Sequence, residues 1–155
     1  MKIAIGADHA GFEMKERVKQ VLQSRGIEAL DFGTSSTEST DYPPYAFRVA
    51  EAVRDGKADR GILLCDSGNG IAIAANKVDG IRATICLNVK MAELARRHND
   101  SNVLVLGSAF TPPEALEPIL DTWLTTGFDG DRPEGERHAR RLGQIAAYER
   151  THQHQ

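Results

Sequence analysis

Short apolar runs alternate along the chain with longer segments in which apolar residues recur at helical spacing. The runs predict five strands, at residues 2–6, 27–32, 61–65, 81–87 and 102–106. The longer segments predict helices, the first ending near Arg25 and the others covering 45–53, 71–76, 89–97, 113–125 and 137–148. Strands that alternate with helices form parallel βαβ units. The pattern therefore predicts an α/β protein with a three-layer Rossmann-like fold, in which helices cover both faces of a five-stranded parallel sheet.

Reactive side chains follow two of the predicted strands. Asp8 and His9 come directly after the first strand, and Cys65 ends the third. In parallel α/β sheets ligands bind beyond the carboxyl ends of the strands, so these side chains are predicted to share one edge. Asp8 is also a good helix N-cap, and that role is compatible with ligand binding.

A glycine turn, residues 66–70, joins the third strand to a helix of small residues. Backbone N–H groups converge in such a turn and suit a phosphate or a developing oxyanion. Cys65 at its edge is either an activated thiol or a buried structural one. The turn lacks the Gly-Lys-Ser/Thr of a P-loop, and Ile73 stands where a dinucleotide fingerprint needs its third glycine. Cys86, inside an apolar strand, is assigned to the core.

A histidine and two arginines supply further candidate groups. His98 ends a predicted helix, where it either interacts with the helix dipole or acts as a general acid or base. Arg137 and Arg141 are four residues apart, a spacing that suits a phosphate clamp, and the alternative is a solvated surface. Because its helix leads back to the start of the fifth strand, His98 belongs at the edge opposite Cys65. If both act on one substrate, His98 comes from a second subunit, which predicts a dimer.

Composition and charge narrow the class of protein. The 155 residues suit one domain, assigned to 1–150, with a disordered tail expected at 151–155. A net charge of −3 argues against non-specific binding to nucleic acid or to an anionic membrane. The amino-terminal residues do not have the pattern of a signal peptide, and two cysteines do not make a disulfide framework. We therefore expect a cytoplasmic protein.

Five segments occur in an order that is typical of one family: IGADHAGF, DYPPYA, CDSGNGIAIAANKVDGIRA, RRHNDSNVLVLG and GERHARR. On these segments, which extend over nearly the whole chain, the protein resembles the type B ribose-5-phosphate isomerases, grouped with the galactose-6-phosphate isomerase subunits. The resemblance implies an aldose–ketose isomerase that interconverts ribose 5-phosphate and ribulose 5-phosphate through a cis-enediolate, without a metal or other cofactor. It also implies a homodimer, or a dimer of dimers, with active sites shared between two subunits.

The resemblance assigns roles to particular residues. Cys65 is the base that moves the proton between C1 and C2, and His98 helps to open the sugar ring. The turn residues that hold the enediolate and the substrate are Asp66, Ser67, Gly68, Asn69 and Gly70. The remaining substrate-binding residues are Asp8 and Asn99 for the hydroxyls, Tyr42 for the pocket wall, and His9, Arg137 and Arg141 for the phosphate.

The chain departs from the family pattern in two places. Asp66 stands where a glycine is frequent, and its carboxylate points either inward, outward or to a substrate hydroxyl. Ala109 replaces a frequent arginine that assists in anion binding, and the segment DRPE before Gly135 resembles a local insertion. The alternatives are therefore an isomerase of a four- or six-carbon sugar phosphate or of a free sugar, and a non-catalytic sugar-phosphate-binding subunit.

Overall fold

The computed structural model describes residues 1–152. Its strands are β1 (Lys2–Ala7), β2 (Glu28–Asp31), β3 (Arg60–Cys65), β4 (Ala83–Ile85) and β5 (Val103–Gly107). Its α-helices are α1 (Phe12–Ser24), α2 (Pro43–Arg54), α3 (Asn69–Ala75), α4 (Val89–Asn99), α5 (Pro113–Thr125) and α6 (Glu136–His152). Single turns of 3₁₀ helix lie at Ser108–Phe110, Asp129–Asp131 and Pro133–Gly135. None of the helices in this part of the chain is long and apolar enough to cross a bilayer.

The five strands form one parallel sheet in the order β2-β1-β3-β5-β4. The central strand, β3, pairs Ile62 with Ile5 of β1 on one side and with Leu104 of β5 on the other. All five carboxyl ends therefore point to the same edge of the sheet. The predicted fold class and its parallel sheet are confirmed.

Successive side chains of β3 enter two separate cores. Ile62 and Leu64 pack on the face covered by α1, α4 and α5, where Trp123 is fully buried. Leu63 and Cys65 pack on the opposite face, against the apolar residues of α2 and α3. Burial on both faces explains why this strand is a continuous apolar run rather than an alternating one. Cys65 consequently has its backbone fixed by the sheet and its side chain on the α2–α3 face.

Most elements differ from the predicted bounds by one or two residues at an end, and the differences at α3, β4 and α6 concern the glycine turn, the sheet edge and the expected tail. Helix α3 begins at Asn69, so the last two residues of the predicted glycine turn are helical. Strand β4 spans 83–85 rather than 81–87, because it is the edge strand and the Ile81 N–H bonds the Val78 carbonyl instead of the sheet. Helix α6 continues to His152, through the first two residues of the expected tail. Residues 153–155 lie outside the described part of the chain.

Candidate active site

Cys65 is the last residue of β3, at the carboxyl edge of the sheet. Only 5% of the residue is exposed, and its Sγ accepts a hydrogen bond from the Gly68 N–H over 3.1 Å. Gly68 has a left-handed backbone (φ 88°), a conformation that glycine adopts without a Cβ penalty, and it precedes the first residue of α3. This bend turns its N–H back toward the sulfur. A donor in that position stabilises negative charge on Cys65.

The rest of the glycine turn presents three backbone donors. The Asn69 N–H bonds the Ser67 Oγ over 3.2 Å, and the Gly68 N–H is occupied by Cys65. The N–H groups of Asp66, Ser67 and Gly70 have no hydrogen-bond partner among residues 1–152. These donors, in the turn that follows the thiol, are available to an anionic ligand.

Asp66 and Ala109, the two departures from the family pattern, are adjacent. The Ala109 N–H donates to the Asp66 carbonyl oxygen over 3.0 Å. Both residues are exposed, and the Asp66 carboxylate makes no hydrogen bond within the described chain. Of the orientations that the sequence left open, the structure places this carboxylate in solvent.

Asp8 and His9 reach the same edge from the end of β1. Asp8 is buried, and its Oδ1 accepts hydrogen bonds from the N–H groups of Ala10 and Gly11 at 3.0 and 3.2 Å. It closes the turn before α1, whose N-cap residue is Gly11 rather than Asp8. Nδ1 of His9 lies 3.1 Å from the Thr40 N and 3.2 Å from the Thr40 carbonyl oxygen. The Thr40 backbone thus holds the ring through Nδ1, which leaves Nε2 for a ligand.

Two tyrosines of the DYPPYA segment border this edge. The ring of Tyr42 packs on Gly70, where a Cβ would lie 2.5 Å from the Tyr42 Cζ. Tyr45, which sequence reasoning did not assign to the site, places its hydroxyl 3.1 Å from Thr40 Oγ1. Hydrogen bonds with Thr34 and Thr40 lower the pKa of Tyr45. Its signal in the sequence was its position three residues after Tyr42, on the first turn of α2.

These residues form the carboxyl half-site: Asp8, His9, Tyr42, Cys65 and the turn 66–70. The other predicted residues form the amino half-site: His98, Asn99, Arg137 and Arg141. The carbonyl oxygen of Asn99 accepts a hydrogen bond from Arg82, which precedes β4, so this group lies at the amino edge of the sheet.

The amino half-site contains a stacked histidine pair. The rings of His98, on α4, and His138, on α6, have centroids 4.3 Å apart and planes inclined by 10°. Arg137 and Arg141 flank His138 on the exposed start of α6. His138 belongs to the GERHARR segment, but its spacing did not distinguish it from a surface residue.

An ion-pair network beside the amino half-site joins α4 to the segment that precedes α6. The Asp129 carboxylate accepts hydrogen bonds from Arg97 over 3.0 Å and from Arg132 over 2.7 Å. Burial acts to raise the pKa of Asp129, but the charges and hydrogen bonds of Arg132 and Arg97 hold it below its ordinary value. A cavity of about 300 Å³ beside this network is lined by Arg97, Asp129, Arg132, Glu134, Gly135, Arg137 and His138. No feature of the sequence singled out Asp129.

The structure therefore brings the residues of each half-site together, but it places the two half-sites at opposite edges of the sheet. Cys65 pairs with Gly107 at the carboxyl ends of β3 and β5. His98 and Asn99 lie beside the opposite ends of the strands, as the topology predicted. Within residues 1–152, no group of three or more His, Cys, Asp or Glu side chains is arranged to hold a metal ion.

Comparison with known proteins gives the same family as the five sequence segments. The model of the family described as Ribose/Galactose Isomerase matches residues 3–145. The chain belongs to the ribose/galactose isomerase family. The resemblance noted from its segments is thereby confirmed, and the match includes both half-sites.

Members of the ribose/galactose isomerase family align with almost the whole chain. Ribose-5-phosphate isomerase B of Escherichia coli is 49% identical over 148 residues, with 96% of each chain covered. D-erythrulose-4-phosphate isomerase of Pectobacterium atrosepticum is 39% identical over 156 residues, covering 100% of this chain and 99% of its own. The solved structure of ribose-5-phosphate isomerase B from Clostridium thermocellum has a TM-score of 0.92 at 48% identity, with 97% and 99% of the two chains covered.

Proposed function

We propose that the protein is an aldose–ketose isomerase that interconverts ribose 5-phosphate and ribulose 5-phosphate. Membership of the ribose/galactose isomerase family and the 49% identity with a ribose-5-phosphate isomerase B support the reaction class and the substrate. The observation that carries the chemistry is Cys65 at the carboxyl end of β3, hydrogen-bonded by Gly68 and followed by a turn with unoccupied N–H donors. Residues 1–150 act as one isomerase domain, which we place in the cytoplasm.

The thiolate of Cys65 removes the proton from C2 of the open-chain aldose. The electron pair of the broken C–H bond forms the C1–C2 double bond of a cis-enediolate, and the negative charge moves to the former aldehyde oxygen. The N–H groups of Ser67 and Gly70 stabilise that charge. Loss of one oxyanion donor typically costs about 3–4 kcal/mol of transition-state stabilisation, so the turn matters as much as the base. A proton then passes from the C2 hydroxyl to O1, and return of the thiol proton to C1 gives the C2 ketone of the ketose and regenerates the thiolate.

The remaining predicted residues bind and open the sugar. His98 transfers the proton that ring opening requires, because an imidazole exchanges protons near neutral pH. Asp8 and Asn99 bind hydroxyls, Tyr42 forms a wall of the pocket, and Asp66 and Asn69 border it. His9 donates to the phosphate from Nε2, together with Arg137 and Arg141, whose guanidinium groups suit phosphate oxygens.

The two half-sites act on one substrate only when they come from different subunits. We therefore propose a homodimer, alone or within a dimer of dimers, in which the carboxyl half-site of one subunit faces the amino half-site of its partner. The opposite positions of Cys65 and His98 in one chain support this arrangement. The symmetry of such a dimer creates two equivalent sites.

A shorter substrate is the second candidate, and the Asp66–Ala109 contact favours it. The hydrogen bond between these residues places an added carboxylate and a missing cation side by side at the edge of the carboxyl half-site. Such a change alters which end of a sugar phosphate binds there. The D-erythrulose-4-phosphate isomerase of P. atrosepticum matches the whole chain, which makes a four-carbon sugar phosphate the first alternative to test.

The decisive experiment is a coupled assay on four-, five- and six-carbon aldose phosphates and their unphosphorylated forms, with wild type and Cys65→Ala. We expect the highest kcat/KM for ribose 5-phosphate and no measurable isomerisation by a folded Cys65→Ala protein. Preference for a four-carbon phosphate would select the second candidate. Turnover by Cys65→Ala would remove the cysteine mechanism, and binding without turnover by wild type would mark a non-catalytic subunit.

A further inference from the structure

His138 has an unusual position on α6. Within residues 136–152 it is the one buried residue, with 7% exposed, although the helix is otherwise amphipathic and mostly solvated. Its ring lies flat on that of His98, at a centroid distance of 4.3 Å. Helix α6 therefore contacts the end of α4 at His98, the residue that is predicted to transfer a proton.

The charges around His138 come from every element packed against it. Arg137 and Arg141 flank it on α6, Asp129 faces it from the preceding segment, and His98 faces it from α4. Burial lowers the pKa of His138, the positive groups lower it further, and Asp129 opposes them. His138 is therefore neutral near neutral pH. A neutral ring stacks on His98 without the repulsion that two imidazolium rings would suffer.

The stack covers one face of the His98 ring and leaves its edge, which carries the two nitrogens, for proton transfer. The same end of α4 is fixed by Arg97, which bonds Asp129, and by Arg96, which bonds the Thr126 carbonyl oxygen. The backbone of His98 is thus held independently of the stack. What the stack adds is the orientation of the imidazole.

We propose that His138 is a positioning residue, which holds the imidazole of His98 in the orientation that opens the sugar ring. The inference rests on the proposed function, in which His98 performs that step. A displacement of about 1 Å in a reacting group can lower a rate about 100-fold. Loss of the stacked ring that orients His98 is therefore enough to slow ring opening.

The chemistry of the two sugars separates ring opening from enolisation. Ribose 5-phosphate is a furanose closed through O4 and must open before C2 can react. Ribulose 5-phosphate cannot close a furanose, because O5 carries the phosphate. Exchange of its C1 proton with D₂O breaks a C1–H bond at Cys65 and forms a C1–D bond from solvent-exchanged thiol, and it does not involve ring opening.

The experiment measures both rates in the full-length protein: isomerisation of ribose 5-phosphate by coupled assay, and C1 exchange of ribulose 5-phosphate by ¹H NMR. We expect His138→Ala to lower kcat for isomerisation by about 10- to 100-fold, with little change in KM. Its C1 exchange should stay within about twofold of wild type. His138→Phe, which keeps a flat ring, should retain most of the isomerisation rate. Gln144→Ala, an exposed change on the same helix, should alter neither rate.

Equal loss of both rates in His138→Ala would indicate a merely structural role and overturn the proposal, as would no loss of isomerisation. A His138→Phe protein as defective as His138→Ala would show that the ring nitrogens, not the stack, are required. Circular dichroism establishes folding first, and His138→Leu replaces His138→Ala if the latter does not fold. Failure of wild type in both assays would refute the proposed function instead.

Discussion

The ring of Tyr42 lies directly on Gly70, so that a Cβ at Gly70 would come within 2.5 Å of the Tyr42 Cζ. Gly70 is in the first turn of α3, and Tyr42 immediately precedes α2. The contact therefore sets the distance between two helix starts at the edge of the carboxyl half-site. Tyr42 is 38% exposed, and the atoms that meet the added Cβ are at the far end of its side chain, so the ring can move toward solvent.

Gly70→Ala should displace Tyr42 and weaken substrate binding. We expect KM to rise about tenfold, which corresponds to roughly 1.4 kcal/mol of binding free energy. The free energy of unfolding should change little, because the displaced ring is at the surface. Steady-state kinetics and denaturant unfolding measure the two effects.

Gly143→Ala is the matched control. It makes the same change on α6, where an added Cβ would meet nothing within 4 Å. It should leave KM unchanged and stabilise the protein by about 0.5–1 kcal/mol, because alanine favours a helix interior. An unchanged KM in Gly70→Ala would mean that the Tyr42 ring is not part of the substrate pocket.

The sheet and the carboxyl half-site could be predicted because their signals are local. The apolar run of β3 ends at Cys65, and the glycines that follow mark a turn, so the carboxyl edge of a parallel sheet was identifiable without coordinates. The start of α3 was misplaced by two residues, since Asn69 and Gly70 have turn propensity but form the first turn of the helix that Gly68 caps.

The amino half-site was harder to predict because it depends on tertiary packing. Helix α6 buries only His138 among its described residues and leaves Ile145 and Tyr148 exposed, so its apolar residues did not show which side faces the protein. The stack on His98 joins residues forty positions apart, and Asp129 acts through contacts with Arg97 and Arg132. Sequence spacing does not encode such contacts.

Arg137→Ala and Arg141→Ala should each raise KM for phosphorylated substrates much more than for free sugars. Both arginines lie on the exposed start of α6 and are proposed to bind the phosphate. Loss of a charge-assisted hydrogen bond should cost about 1.5–3 kcal/mol, or roughly 10- to 100-fold in KM. Arg140→Ala is the control, because Arg140 pairs with Glu136 instead. Equal effects on phosphorylated and free sugars would contradict the phosphate assignment.

Cys86 should make stability depend on pH in the alkaline range. Burial raises the pKa of its thiol from 9.0 to about 11, although a hydrogen bond with Thr84 acts in the opposite direction. The raised value favours folding below pH 9, where the thiol is protonated in both states. That stability is lost as the pH rises from 9 toward 11, because the unfolded thiol ionises first.

Cys86→Ala should therefore flatten the alkaline fall in the free energy of unfolding, by on the order of 2 kcal/mol between pH 9 and 11. The small cavity that it creates lowers stability equally at every pH, so only the slope reports on ionisation. Urea unfolding at a series of pH values gives both quantities. Identical slopes in wild type and variant would show that Cys86 ionises as easily in the folded protein as in the unfolded chain.

Mixing two inactive variants should restore activity if the sites are shared. Cys65→Ala lacks the base of the carboxyl half-site, and His98→Ala lacks the imidazole of the amino half-site. In a hybrid dimer one site combines both defects, while the other combines the intact Cys65 of one subunit with the intact His98 of its partner. Random reassociation should therefore recover about a quarter of wild-type activity on ribose 5-phosphate.

Two Cys65→Ala preparations labelled and mixed in the same way provide the control and should recover none. Absence of recovery in hybrids whose formation is verified by mass spectrometry would mean that Cys65 and His98 do not complete one site across the subunits.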